Sequence, residues 1–364
     1  MRLLLMIVCL LLTTLLYPSF GHAEVGVSAN NAVLIEGSSG RILFKKEAHE
    51  KKPIASITKI MTALVAIESG KMNETVKITK RAAYTEGSSI YLKPGEKILL
   101  KDLVYGLMLR SGNDAAVAIS EHVGGSMEGF VHLMNKQAQW LGMTNTSFDN
   151  PHGLDAETHY STAYDMALLM RYAMENEQFR EITGTEIYKS DSRDYSWKNK
   201  HRLVTGMYKY STGGKTGYTR VAGRTLVSVA EKNKMRLIAV TLNGSDDWRD
   251  HISMFEWGFD SFDMTTIDQS GEEIFHIKKT GEKIMGYLHE EIKLPLKEQE
   301  QKLIASRSFL LENASEKSEG VIGKTIYFVD SVPVRETPIY ANDKHEKGFL
   351  AKIVTVYRYI TGLD

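Results

Sequence analysis

Three short runs hold residues that could break an amide bond without a metal. Ser56-Ile57-Thr58-Lys59 sets a hydroxyl and an amine three positions apart. On a helix such positions share a face, so the Lys59 amine can reach the Ser56 hydroxyl. A serine hydroxyl attacks only when a base takes its proton. An ammonium cannot be that base, so Lys59 must be at least partly neutral, which burial and a second nearby cation would achieve. Lys215, in Lys215-Thr216-Gly217, is the candidate for that cation. In Ser111-Gly112-Asn113, Ser111 could relay a proton between Lys59 and a leaving group. Asn113, with donors and an acceptor, could hold a substrate amide. Thr216 offers a hydroxyl to a substrate carboxylate. Gly213, Gly214 and Gly217 mark backbone that a ligand or another strand approaches closely. Taken singly, each run has a plain explanation: S-x-x-K arises by chance, Ser111-Gly112-Asn113 can be an interhelical turn, and Lys215 a surface lysine. In this order, about 55 and then about 100 residues apart, the three form a specific signal.

The elements that must position them follow from pattern. Val33–Ile35 and Ile42–Phe44 flank Gly37-Ser38-Ser39-Gly40 and predict a hairpin. From Ser56 to Ser69, apolar residues at 57, 60, 61, 64 and 67 predict a helix that Gly70 stops. Leu103–Leu109 and Asp114–Val123 are helical in pattern. Ser161-Thr162-Ala163-Tyr164-Asp165 reads as a capped start of a helix running to about Asn176. Arg224–Val229 and Leu237–Leu242 are β-rich around a turn at Lys232-Asn233-Lys234, and Asp247–Phe259 is helical. Helices between early and late strands predict an α+β fold: an antiparallel sheet assembled from both ends of the domain, with flanking helices and a helical subdomain. Past about residue 270, runs such as Lys324–Phe328 and Val332–Arg335 predict a smaller β-rich domain. Phe349, Leu350, Ile353, Val354, Tyr357 and Ile360 then share one helix face, which either packs on its own domain or lies in a membrane surface. The expected division is 1–23, 24–267, 268–346 and 347–364.

Composition bounds the function classes. Of 364 residues, 43% are apolar and 25% charged, and Lys plus Arg balances Asp plus Glu at 45 each. A zero formal charge argues against a whole-protein grip on nucleic acid. Arg2, the apolar run Leu3–Leu16 and Gly21-His22-Ala23 read as an export signal cleaved after Ala23; the run is short for a membrane anchor. The single cysteine, Cys9, lies inside it, so the mature chain would carry neither thiol nor disulfide. The eleven histidines show no H-E-x-x-H or comparable ligand spacing, so neither metal nor cofactor is expected.

The three runs, with Asn150-Pro151-His152-Gly153-Leu154 and Gly214-Lys215-Thr216-Gly217, resemble the serine penicillin-binding proteins. Within that group the chain is most similar to the low-molecular-mass D-alanyl-D-alanine carboxypeptidases, and over Tyr91–Gly125 to the sporulation-associated ones of endospore formers. The resemblance implies acylation of Ser56 by the penultimate D-alanine of a peptidoglycan stem, release of the terminal D-alanine, and hydrolysis of the ester. It implies covalent inhibition by β-lactams. It implies an oxyanion hole from the backbone N–H groups of Ser56 and Tyr218, with Asn113, Lys215, Thr216 and Gly217 around the substrate. It further implies a β-rich C-terminal domain and a terminal amphipathic helix resting on the outer face of the cytoplasmic membrane. Tyr218 stands where many relatives carry histidine, which touches substrate preference rather than the reaction. Endopeptidase or transpeptidase action on cross-linked wall peptides is the nearest alternative. A β-lactamase is disfavoured because no E-x-x-L-N pattern lies between the second and third runs. A wall-binding module would not need Ser56, Lys59, Ser111, Asn113 and Lys215 together. Asp149, His152 and Asp155 read as parts of a structured loop; Lys200 could add positive charge near the site, but a solvated basic loop is the favoured account.

Overall fold

A computed structural model describes residues 25–276, 283–311, 314 and 320–341. The expected export signal at 1–23 and terminal helix at 347–364 lie outside the described residues.

The central sheet has five antiparallel strands: β1 (Asn31–Glu36), β2 (Ile42–Lys46), β3 (Ser211–Thr219), β4 (Gly223–Lys232) and β5 (Met235–Leu242), in the order β2-β1-β5-β4-β3. The first strands of the chain thus pair with strands some 200 residues later, Val33 facing Val240 across β1 and β5. Both faces of the sheet are covered, which explains why β5 reads as a continuous apolar run. Val33, Ile35, Ile238 and Val240 point into the larger core, and Leu34, Leu237 and Ala239 into the other. Asn233 and Lys234, both at positive φ, make the tight β4–β5 turn.

Six longer helices surround this sheet: α1 (Lys59–Glu68), α2 (Asn113–Gly124), α3 (Met127–Trp140), α4 (Ala163–Ala173), α5 (Glu177–Gly184) and α6 (Asp247–Ser261). Helix α4 packs on one face of β1 and β5, and α6 on the other face. Helices α1, α2 and α3 share the larger core and form the helical subdomain. Two helix boundaries differ from expectation. Ser56 lies not on the α-helix but in a 3₁₀ turn, Ala55–Thr58, that leads into α1. The helix capped by Thr162 stops at Ala173, because Asn176 caps the next one, its side chain accepting the Phe179 N–H at 3.1 Å. Gly70 does terminate α1, at φ +72°.

Strands Asp263–Asp268 and Ile292–Leu296 pair with each other, and a second antiparallel sheet of five strands runs from Gly271 to Tyr340. This β-rich part has its own apolar clusters, one around Phe275, Ile284, Ile322 and Ile339. It meets the first part through Arg41, which forms an ion pair with Glu300 at 2.6 Å and donates to the Pro295 carbonyl. Arg335 adds a bond to the Ser38 carbonyl at 3.2 Å.

Candidate active site

The turn that carries Ser56 is clamped from two sides. On one side the loop Asn150–Leu154 closes on it. Gly153 has φ +86°, and a Cβ there would lie 2.0 Å from the Ala55 carbonyl oxygen, so only glycine permits the contact. Thr62 donates to the Pro151 carbonyl at 2.6 Å. His159 completes this clamp. Its Nδ1 accepts the Asp149 N–H at 3.0 Å, so the proton sits on Nε2 and is donated to the Thr58 hydroxyl, which donates in turn to the Ala55 carbonyl. On the other side runs β3. A Cβ on Gly217 would fall 2.9 Å from the Ser56 nitrogen and 2.4 Å from the Thr225 hydroxyl, while that hydroxyl donates to the Ile54 carbonyl at 2.9 Å. Bare backbone at Gly217 is what lets the strand lie against the serine turn.

Lys59 is 0% exposed and its Nζ has three neighbours: Ser56 Oγ at 3.0 Å, Asn113 Oδ1 at 2.8 Å and the His152 carbonyl at 2.6 Å. The last two can only accept. When Lys59 is neutral its two hydrogens therefore go to them, and the lone pair faces the one partner able to donate, the Ser56 hydroxyl. Burial is the main force pushing the Lys59 pKa well below that of a free lysine; the nearby Lys215 and Lys200 ammoniums add to it, and Asp114 opposes it.

Lys215 is 2% exposed, and its Nζ donates to Ser111 Oγ at 3.1 Å and to the Thr216 carbonyl at 2.7 Å. Burial first, and Lys200 second, lower its pKa to about 7. Ser111 sits at φ +65°, ending the helical stretch Gly106–Arg110, and this left-handed turn aims its hydroxyl at the lysine. Two amine–hydroxyl pairs thus face one cleft.

That cleft, of about 540 Å³, is lined by Ser56, Ser111, Lys200, Thr216 and Tyr218 among others. The expected residues come together with two differences in partners. Ser111 bonds Lys215 rather than Lys59. The Asn113 acceptor is already engaged by Lys59, and one of its amide N–H groups goes to the Glu86 carbonyl at 2.6 Å, so one N–H remains for a substrate. The Tyr218 side chain is 65% exposed at the mouth.

Four contributors escaped the sequence reading or were set aside in it. Lys200 is exposed, as a solvated loop lysine would be, yet it lines the cleft. Ser88 lines it too. His152 supplies a backbone carbonyl; its ring accepts the Leu154 N–H at 3.2 Å, and burial together with Lys59 depresses its pKa to about 3. Gly153 supplies the close approach. The signals for the last two were the density of turn residues in Asn150–Gly153 and the share of that run in the family resemblance. Asp149 and Asp155 accept from Thr158 and Thr219 at 2.7 and 2.8 Å, as loop anchors do.

A buried lysine 3.0 Å from a serine hydroxyl, on an α+β fold with this sheet order, fits a serine acyl-transfer hydrolase. The comparisons narrow that class. Residues 19–246 match the peptidase S11 family, described as D-alanyl-D-alanine carboxypeptidase, and the chain belongs to that family. It is 38% identical over 267 residues to the D-alanyl-D-alanine carboxypeptidase DacF of Bacillus subtilis (strain 168), covering 70% of this chain and 68% of that one. Against DacC of Escherichia coli (strain K12) the identity is 37%, over 66% and 63% of the two chains. Among solved structures it is similar to penicillin binding protein 5 of Haemophilus influenzae, with TM-score 0.75, 26% identity, and 88% and 98% of the chains covered. A mutant form of the Streptomyces K15 DD-transpeptidase superposes with TM-score 0.62 at 28% identity, covering 65% and 100%. The chain is a serine-type carboxypeptidase of peptidoglycan metabolism.

Proposed function

We propose that Ser56 is the nucleophile of a D-Ala-D-Ala carboxypeptidase and Lys59 its base. The observation that carries this is the 3.0 Å approach of Lys59 Nζ to Ser56 Oγ beside two carbonyl acceptors that take both hydrogens of a neutral amine. Ser56 Oγ bonds to the penultimate D-alanine carbonyl carbon as its proton passes to Lys59. The backbone N–H groups of Ser56 and Tyr218 receive the oxyanion. The C–N bond then breaks as the proton on Lys59 reaches the departing amine by way of the Ser111 hydroxyl, which Lys215 holds, and Lys59 is neutral again. Thr216, with the Lys200 ammonium in the same cleft, anchors the leaving carboxylate. Asn113 steadies the acyl peptide with its remaining N–H, and Gly217 gives room for it. Water, deprotonated by Lys59, hydrolyses the ester. Removing the terminal D-alanine from stem pentapeptides limits their later cross-linking, and a spore-cortex role fits the likeness to DacF. A β-lactam occupies the same route and stays on Ser56.

The reading extends to export by residues 1–23, a catalytic unit at 24–267, a β-rich unit at 268–346, and a helix at 347–364 lying on the outer face of the cytoplasmic membrane. Deleting 347–364 is expected to move the protein from the membrane to the soluble fraction; membrane binding that persists removes the helix from that role. The main test is intact-mass spectrometry with a β-lactam and then with a peptide ending in D-Ala-D-Ala. A long-lived adduct on Ser56 and release of one D-alanine are expected; no adduct with either compound overturns the assignment. A second reading, transfer to or cleavage of cross-linked peptides, is favoured by the likeness to the K15 DD-transpeptidase. Its mark would be product joined to an added amine.

A further inference from the structure

Ala55, the residue before Ser56, is buried and takes φ +50°, a left-handed backbone that a residue with a Cβ adopts only when its surroundings hold it there. Two hydroxyls do so. The Ile54 carbonyl accepts from Thr225 at 2.9 Å, and the Ala55 carbonyl accepts from Thr58 at 2.8 Å while Gly153 closes on it. A peptide unit is planar and trans, so its C=O and N–H point in opposite directions on one rigid plate. The Ala55 carbonyl and the Ser56 N–H are the two ends of such a plate. Holding the carbonyl at Thr58 therefore fixes where the Ser56 N–H points, and that N–H is one of the two proposed oxyanion donors. A carbonyl that accepts a hydrogen bond also makes its own N–H a stronger donor.

Thr58 can hold that carbonyl only while its hydroxyl hydrogen is turned toward it, and His159 decides this. Because Nδ1 accepts the Asp149 N–H at 3.0 Å, the ring hydrogen is on Nε2, 2.8 Å from Thr58 Oγ1. A ring nitrogen that carries hydrogen can only donate, so the hydroxyl accepts it and its own hydrogen is left for Ala55. The opposite tautomer would turn the hydroxyl around. Burial pushes the His159 pKa down to about 4, against the pull of Asp149 and Asp155, so the ring is neutral at ordinary pH. Phe148 packs edge-on against it with ring centres 5.8 Å apart. The ring lines a different cleft from the catalytic one, together with Lys51, Asp155 and Tyr160. Its influence on the reaction therefore runs through Thr58.

We infer that His159 is a positioning residue of the reaction: through the Thr58 hydroxyl and the Ala55 carbonyl it sets the direction of the Ser56 N–H, and with it the strength of the oxyanion hole. The inference rests on the proposed chemistry at Ser56 and changes none of its steps. Lys59 still takes the serine proton; His159 governs how well the charge that then develops on the substrate oxygen is received.

The test follows acylation of Ser56 by time-resolved intact mass with an N-acyl-D-alanyl ester and with its thiono counterpart, in which sulfur replaces the carbonyl oxygen. N–H donors hold a developing oxyanion better than the larger and weaker acceptor sulfur, so an intact hole favours the oxygen ester. A merely displaced serine slows both esters alike, whereas a misdirected N–H loses the preference. His159→Leu should slow the oxygen ester about 10–100-fold, short of the about 10²–10³ that loss of a whole donor costs, and lower the oxygen-over-sulfur ratio about tenfold. His159→Gln, whose amide nitrogen reaches as far as Nε2, should recover most of both. His159→Asn, whose amide reaches only as far as Nδ1, should not. If His159→Leu fails to fold, Thr58→Val keeps the shape, removes the same bond to Ala55 and should lower the ratio equally. An unchanged ratio in the folded variants, or His159→Gln no faster than His159→Leu, overturns the positioning role while acylation of the wild type upholds Ser56 as nucleophile. No adduct on the wild type with either ester overturns both.

Discussion

Two kinds of charge are buried in this chain, and they are compensated in opposite ways. Asp114, Glu36 and Asp250 are carboxylates surrounded by donors. Glu36 accepts from the hydroxyls and N–H groups of Ser38 and Ser39, and Asp250 from Ser28 and the Ala29 N–H. Each of these carboxylates gathers a loop around itself. Lys59 and Lys215 are buried as deeply, but their partners are neutral oxygens, and the nearest charges that act on both are other lysines. The first arrangement fixes a turn. The second destabilises the ionised form and leaves an amine ready to take a proton at ordinary pH. Depth of burial alone does not separate an anchor from a reactive group; the chemistry of its neighbours does.

The sharpest way to break that contrast is to remove one group of each kind. Lys59→Ala is expected to slow acylation of Ser56 by a β-lactam about 10³–10⁴-fold, read by time-resolved intact mass, with a denaturation midpoint close to wild type because no carboxylate loses its partner. Near-normal acylation would take Lys59 out of its assigned role. Asp114→Ala should do the reverse. It orphans the Ile90 and Leu92 N–H groups and should lower stability by about 2–3 kcal/mol in urea unfolding. It should leave acylation of the folded protein within a few-fold, because Asp114 opposes the lowering of the Lys59 pKa. If Asp114→Ala loses acylation but keeps its stability, anchors and reactive groups are not separate.

Lys215 sharpens the same point through pH. Its pKa is about 7 in the folded chain, against about 10.5 for an unperturbed lysine. Below pH 7 both states hold the proton, and above about 10.5 neither does. Between these values the unfolded state binds more protons, so stability rises with pH, by up to about 1.4 kcal/mol per unit for one proton. Lys215→Met should reduce that slope between pH 7 and 10, measured by urea unfolding at several pH values. Some slope should survive, because Lys59 is depressed too. An unchanged slope would mean that Lys215 is charged in the folded protein.

Much of this was legible in the sequence because local pattern and chemistry agreed. The order of Ser56-x-x-Lys59, Ser111-x-Asn113 and Lys215-Thr216-Gly217 marked the candidate site, and apolar runs early and late, with helices between them, marked a sheet drawn from both ends of the domain. What stayed hidden depends on tertiary approach. A sequence shows that Gly153 can turn, not that its missing Cβ admits the Ala55 carbonyl. It shows that His152 has a ring, not that its carbonyl holds Lys59. Lys200 reads as solvated because it is solvated, and only folding brings it to the cleft. The partner of Ser111 was misjudged for the same reason: spacing tells which side chains share an element, while β3 and the turn after Arg110 decide which amine the hydroxyl meets.

The smallest effect is expected at the mouth. Tyr218 lies outside the buried pair, and its part in the proposed mechanism is its backbone N–H, which any side chain provides. Tyr218→His places a titratable ring at a position 65% exposed to solvent, where water screens its charge from Lys59. Stability should change by less than about 0.5 kcal/mol, and β-lactam acylation by no more than a few-fold at pH 7. Peptide kcat/KM is the more sensitive reading, since the ring faces whatever enters the cleft. If acylation instead fell as steeply as in Lys59→Ala, the tyrosine side chain would belong with the buried lysines as part of the reacting machinery, and the division between a protected interior and a replaceable rim would have to be redrawn.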